Sequence, residues 1–136
     1  NNMLEKLFMY PKLAKYASVS KKWMDLFEFD IRNIDVSKEK ISCTISFPEK
    51  LVGNDGIIHG GITCFVIDSI SGIHAQLFSG KSGTALTKNL SVDFLAPIYP
   101  KNIYTVETSE IQGRIIVEYR QDNTVVARGN TEVVFK

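Results

Sequence analysis

The chain has 136 residues, 16 basic and 15 acidic, for a formal charge of +1, with 44% hydrophobic and 23% charged residues. One domain of this length buries roughly two thirds of its unfolded surface; the aromatic content and near-zero charge exclude a disordered chain, and the lack of a long basic run excludes nucleic acid as the main partner. Two cysteines, Cys43 and Cys64, cannot staple a fold of this size and read as reduced thiols in an intracellular protein.

In chain order, Leu4, Leu7, Phe8 and Leu13 predict a short amphipathic helix that Pro11 bends or restarts. Met3–Lys22 is rich in lysine and serine but carries Glu5, and reads as that helix rather than a transit peptide. Residues 1–22 are therefore an N-terminal helical extension, and residues 23–136 the main domain. From Asp25 the period falls to two. Leu26–Arg32 and Ile41–Phe47 both alternate, which predicts two strands joined around Ser37–Lys40. Pro48 and Gly53-Asn54-Asp55-Gly56 mark a loop.

Ile57–Phe78 is apolar on nearly all sides, which predicts a buried helix. Its longest uncharged stretches, Gly56–Ile67 and Ser69–Gly80, are 12 residues each. That is below the ~18 a membrane span needs. After Gly80–Gly83 the strand pattern returns. Leu86, Leu90, Val92 and Phe94 form one face of a long strand ending at Pro97. Ile103–Val106 and Ile115–Tyr119 follow, broken by Gln112-Gly113, and the turn pair Asp122-Asn123 precedes a last strand, Thr124–Phe135. The expected class is α+β, a six-stranded, mostly antiparallel sheet packed on one long helix.

The window Gly56–Gly80 holds 25 residues and one charge, Asp68, where this composition would place about five or six. A lone carboxylate in an apolar helix is costly unless paired. Asp68 is thus either a functional group or a side chain that reaches a solvent edge or a nearby Ser or Thr. His59-Gly60-Gly61 stands at the helix start. Two glycines there either admit a ligand to backbone N–H groups, a site for an anion or developing oxyanion, or simply fit a tight junction. Asp68 is eight residues after Gly60, about 12 Å along the axis at 1.5 Å per residue. One carbonyl cannot touch both groups of one helix. Joint action requires Asp68 from a second chain, hence a homodimer with antiparallel helices.

Gly53–Asp68 resembles the signature of hotdog-fold acyl-CoA thioesterases, nearest the phenylacetate-pathway and human thioesterase-superfamily type. Leu86–Pro97 is similar to that family's strand after the helix, as are Gly113–Glu118 and Val125–Gly129 to later segments. The resemblance spans about residues 25–136. It implies a hotdog fold, an acyl-CoA substrate, a dimer or dimer of dimers, a place in lipid metabolism, and no metal or other cofactor. The compartment it implies is cytoplasm or mitochondrion. By the same resemblance the Gly60 N–H polarises the thioester carbonyl, with Gly61 beside it. Asp68 is the general base or nucleophile, His59 shapes the site, and Thr87 positions water. Asn54 matches the family's loop asparagine, but stands five residues before the histidine where that branch commonly has six, so Asp55 is the alternative there. Ser69, Ser71 and Gly72 fit close helix packing.

Other candidates have simpler readings. His74 sits about 240° round the helix from Asp68 and reads as a core histidine. Cys64 shares the Asp68 face but lacks a basic neighbour to activate it. Lys88, Lys101 and Arg114 read as solvated strand residues rather than phosphate ligands. Phe94, Tyr99, Tyr104 and Phe135 read as core or sheet-face residues. The expected activity is hydrolysis of acyl-CoA to free acid and CoA. The alternative is a non-catalytic hotdog module that binds acyl-CoA or an acyl carrier, and a hydratase or dehydratase ranks last.

Overall fold

The computed structural model describes residues 14–136. The expected helix around Leu4, Leu7, Phe8 and Pro11 lies outside them. Helix α1 spans Ala14–Phe27, followed by β1 (Asp30–Ser37), β2 (Lys40–Ser46), helix α2 (Gly60–Phe78), β3 (Ala85–Phe94), β4 (Tyr104–Ile111), β5 (Arg114–Gln121) and β6 (Thr124–Phe135). The strands form one antiparallel sheet in the order β1-β2-β4-β5-β6-β3. That is the predicted α+β architecture.

One boundary differs. Leu26 and Phe27 end α1 instead of opening a strand, and the helix runs on past Lys22. The helix closes with two bonds, Glu28 N–H to the Asp25 carbonyl and Phe29 N–H to the Met24 carbonyl, both 3.1 Å. This closure puts Glu28 in the left-handed region at φ 59°. Glycine is the usual residue there. With a glutamate in its place, the alternation Leu26-Phe27-Glu28-Phe29 looks like a strand.

Helix α2 is the core, with ten of its 19 residues buried. By length and composition alone it could cross a membrane, but its apolar surface is spent against the sheet. Five polar bonds fix it there. Tyr119 O–H donates to the Thr63 carbonyl (3.3 Å), and Ser71 Oγ meets Thr131 Oγ1 (3.1 Å). His74 Nδ1 lies 2.7 Å from Thr108 Oγ1. Gln76 donates to the Gly83 carbonyl (2.9 Å) and accepts from Ala85 N–H (3.0 Å). Residues 63, 67, 71 and 74 fall on one helical stripe. At its middle, Gly129 of β6 touches Ile67, and a Cβ on Gly129 would overlap Ile67 Cγ2. On the opposite side Gly61, Cys64, Phe65, Asp68 and Ser69 stay exposed or half-buried.

Candidate active site

His59 caps α2. Its backbone is non-helical (φ −53°, ψ 129°), and its Nδ1 accepts from the Gly61 N–H at 2.9 Å. An accepting Nδ1 places the neutral ring's proton on Nε2, so this exposed imidazole presents an N–H outward. The glycine pair has two separate reasons. A Cβ on Gly61 would lie 3.0 Å from His59 Nδ1 and crowd the folded-back ring, whereas one on Gly60 would lie 3.4 Å from Phe94 Cζ. Gly61 N–H is thus committed within the chain. The Ile62 and Thr63 N–H groups bond the His59 carbonyl at 2.9 and 3.4 Å. Among the described residues, no protein acceptor takes the Gly60 N–H.

Asn54 and Asp55 occupy an exposed 3-10 turn, Asn54–Gly56, immediately upstream. The Asn54 carbonyl accepts from Ile57 N–H at 3.2 Å, and Asp55 adopts φ 59°. Both line a shallow hollow with His59 and Gly60. An apolar hollow beside it is walled by Ile57, Gly60, Phe94, Leu95 and Pro97. Phe94 is 54% exposed, so this ring rims the helix N-terminus and is not core.

Asp68 and Thr87 form a second cluster. The Thr87 hydroxyl donates to Asp68 Oδ1. A bulge makes the contact possible. Pairing with β6 slips between Thr87 and Asn89, so Ala85, Thr87, Leu90, Val92 and Phe94 all face the helix side, opposite Phe135, Val133, Thr131, Gly129 and Ala127. Leu86, expected on the face of Leu90 and Val92, is turned to the other side and is 44% exposed. Gln76, which nothing in the sequence singled out, ties down the entry to β3 through Gly83 and Ala85. Asp68 and Thr87 open on a cleft of about 560 Å³ that also contains Trp23, Phe65, Ser69 and Leu86. It shares no lining residue with the hollows around Gly60. A single chain thus carries two half-sites, an N–H donor with His59 and a carboxylate with Thr87.

The remaining candidates fall into place around these. His74 is buried, and burial pulls its pKa below the ordinary 6.5. Burial raises the Cys64 thiol, which opposes thiolate formation. Lys88 pairs with Glu132 at 3.9 Å, Lys101 with Glu49 at 3.4 Å, and Arg114 with Asn89, Asn130 and Glu132. Tyr104 is fully buried, its hydroxyl accepting from Tyr99 N–H at 2.8 Å. Among the described residues no group of three His, Cys, Asp or Glu converges for a metal ion.

Comparison with known proteins adds three findings. The thioesterase superfamily profile matches residues 55–130. A protein of Saccharolobus solfataricus that carries the name of an esterase is 29% identical over 119 residues, 87% of this chain and 76% of that protein. Among solved structures, the PaaI protein of the E. coli phenylacetic acid degradation operon superposes with TM-score 0.71 at 15% identity, over 88% of this chain and 92% of its own. A Streptococcus mutans protein bound to acetyl CoA superposes with TM-score 0.63 at 17% identity, over 79% of this chain and 89% of its own.

Proposed function

The chain belongs to the thioesterase superfamily, and on that premise we propose that it hydrolyses acyl-CoA thioesters to free acid and CoA. The observation that carries the reading is the Asp68–Thr87 pair at an apolar cleft. A carboxylate anchored by one hydroxyl on Oδ1 keeps its other oxygen for water or for the substrate carbon.

In this mechanism the Gly60 N–H donates to the thioester oxygen as negative charge develops there. His59 Nε2–H lies on the same rim and orients the thioester. Asp68 takes the proton of the attacking water, or attacks the carbonyl carbon itself and is then released by water. In the water route the C–S bond breaks and the CoA sulfur leaves with the proton that Asp68 took; in the covalent route it leaves as a thiolate, and the water that hydrolyses the acyl-Asp68 anhydride supplies the proton. Thr87 holds the carboxylate in line. Asn54 or Asp55 steadies the substrate at the loop.

The two half-sites lie about 12 Å apart along one helix, so the complete site pairs Gly60 of one protomer with Asp68 of the partner subunit. Strand β3 supports such a dimer. Among the described residues it is a free edge of ten residues with Leu86 and Phe94 exposed. The other edge, β1, is bulged and carries Asp30, Arg32 and Asp35.

The test is thiol release from acetyl-, medium-chain, long-chain and aryl-CoA by wild type and Asp68→Asn in parallel. Loss of a general base predicts a kcat lower by about 10²–10⁴, with sedimentation unchanged. Equal release by both proteins would remove Asp68 from the chemistry. Tight acyl-CoA binding without release would make the domain a binding module.

A further inference from the structure

We infer that α1 walls an acyl pocket, and that the preferred substrate carries a long apolar acyl chain rather than an acetyl group; this rests on the thioesterase reading above. Helix α1 buries Ser20 and Met24, yet it leaves Val19 60% and Trp23 44% exposed. Val19 and Trp23 are four residues apart and share a helix face. That face lines the cleft holding Asp68 and Thr87, together with Phe65 and Leu86. An apolar surface therefore continues from the carboxylate onto α1.

Charge decides which end of the substrate enters. Among the described lining residues Asp68 is the one charged group, with no lysine or arginine beside it. The phosphates of CoA find no counter-charge among them, whereas an acyl chain finds Trp23, Phe65 and Val19. The Gln76 amide is engaged by Gly83 and Ala85, and the uncharged hydroxyl residues Ser20, Ser69 and Thr84 complete the lining. The volume, about 560 Å³, lies within the usual range for small-molecule sites. An acetyl group would occupy a small part of it and forgo the apolar contact.

Trp23 is the chain's single tryptophan, so its fluorescence reports the cleft without reference to activity. The experiment titrates the full chain with CoA alone and with non-hydrolysable thioether analogues from acetyl to dodecanoyl. The expected result is a blue shift with the longer analogues and none with CoA. Affinity should rise about fourfold per methylene until the wall is reached. Val19→Phe, at an exposed position that tolerates bulk, should move the length profile toward shorter chains in binding and in thiol release alike. An unresponsive Trp23 beside intact thiol release would overturn the pocket and leave the thioesterase reading standing. A responsive Trp23 without thiol release from any acyl-CoA would overturn the thioesterase reading and keep the pocket. Emission already blue and insensitive to every analogue would mean that a second copy or residues 1–13 fill the cleft, which also overturns the proposal.

Discussion

Gly129 and His74 show how single residues seat the helix that carries the site. Gly129 admits Ile67 so closely that a methyl group has no room. Gly129→Ala should destabilise the domain by about 1–3 kcal/mol through overpacking. Ile67→Ala in the same chain should recover part of that loss, despite its own cost. Urea unfolding of the four proteins of the cycle measures the coupling, and additive losses would reject the contact. His74 acts through its proton. Its folded pKa lies below 6.5, chiefly through burial, with Glu39 opposing. The unfolded chain therefore takes up a proton that the folded one refuses, and stability falls as pH drops below about 6.5. The stabilising contribution is complete above that pH. Urea midpoints from neutral to about pH 5 should fall more steeply for wild type than for His74→Leu. Parallel curves would assign the acid sensitivity elsewhere.

At the scale of elements, the end of α1 is set by backbone conformation and the start of β3 by strand register. The close of α1 holds Glu28 at φ 59°, while Lys50 Nζ pairs with its carboxylate at 2.7 Å across the surface. Both side chains are exposed, so the pair contributes little. A non-glycine residue in this region costs about 1 kcal/mol or more. Glu28→Gly should therefore raise the unfolding free energy by roughly 0.5–1 kcal/mol. A lower value would show that the Lys50 contact outweighs the backbone strain. The start of β3 works by register. One bulged residue turns Thr87 to the helix and Leu86 away from it, and the Gln76 amide pins the loop from which the strand emerges.

At the scale of the molecule, the proposed pairing of Gly60 with Asp68 of the partner subunit would make assembly part of the chemistry. Gly60 is the first residue of α2, where proline is tolerated and removes only an N–H. His59 already has a ψ of 129°, within the range that a following proline requires. Gly60→Pro and Asp68→Asn should each be nearly inactive as pure proteins. Co-refolded in equal amounts they should recover about a quarter of wild-type activity, because half the dimers are mixed and each mixed dimer regains one of two sites. A site contained within one chain would show no recovery.

Much of this protein is legible along the chain. Period two marks the strands, a break at Gln112-Gly113 and the turn pair Asp122-Asn123 mark two hairpins, the first two strands join around Ser37–Lys40, and charge depletion around Asp68 marks the core helix and its one unusual carboxylate. These are local signals, because backbone periodicity and desolvation act on neighbours in sequence. The end of α1 was not legible, since its closing turn uses glutamate where glycine would announce it. The side of β3 that Leu86 takes was not legible either. A bulge is a mismatch between two paired strands, and neither strand shows it alone. The sequence by itself determined the helix-and-sheet plan and the candidate groups His59, Gly60 and Asp68. Only the tertiary structure decided that His59 occupies the Gly61 N–H, that Thr87 holds Asp68, and that Trp23 and Val19 face the same cleft. The Thr87–Asp68 bond and the meeting of α1 with Asp68 join residues far apart in the chain, which packing alone brings together, while the His59–Gly61 bond spans two residues and depends on how the capping ring folds back.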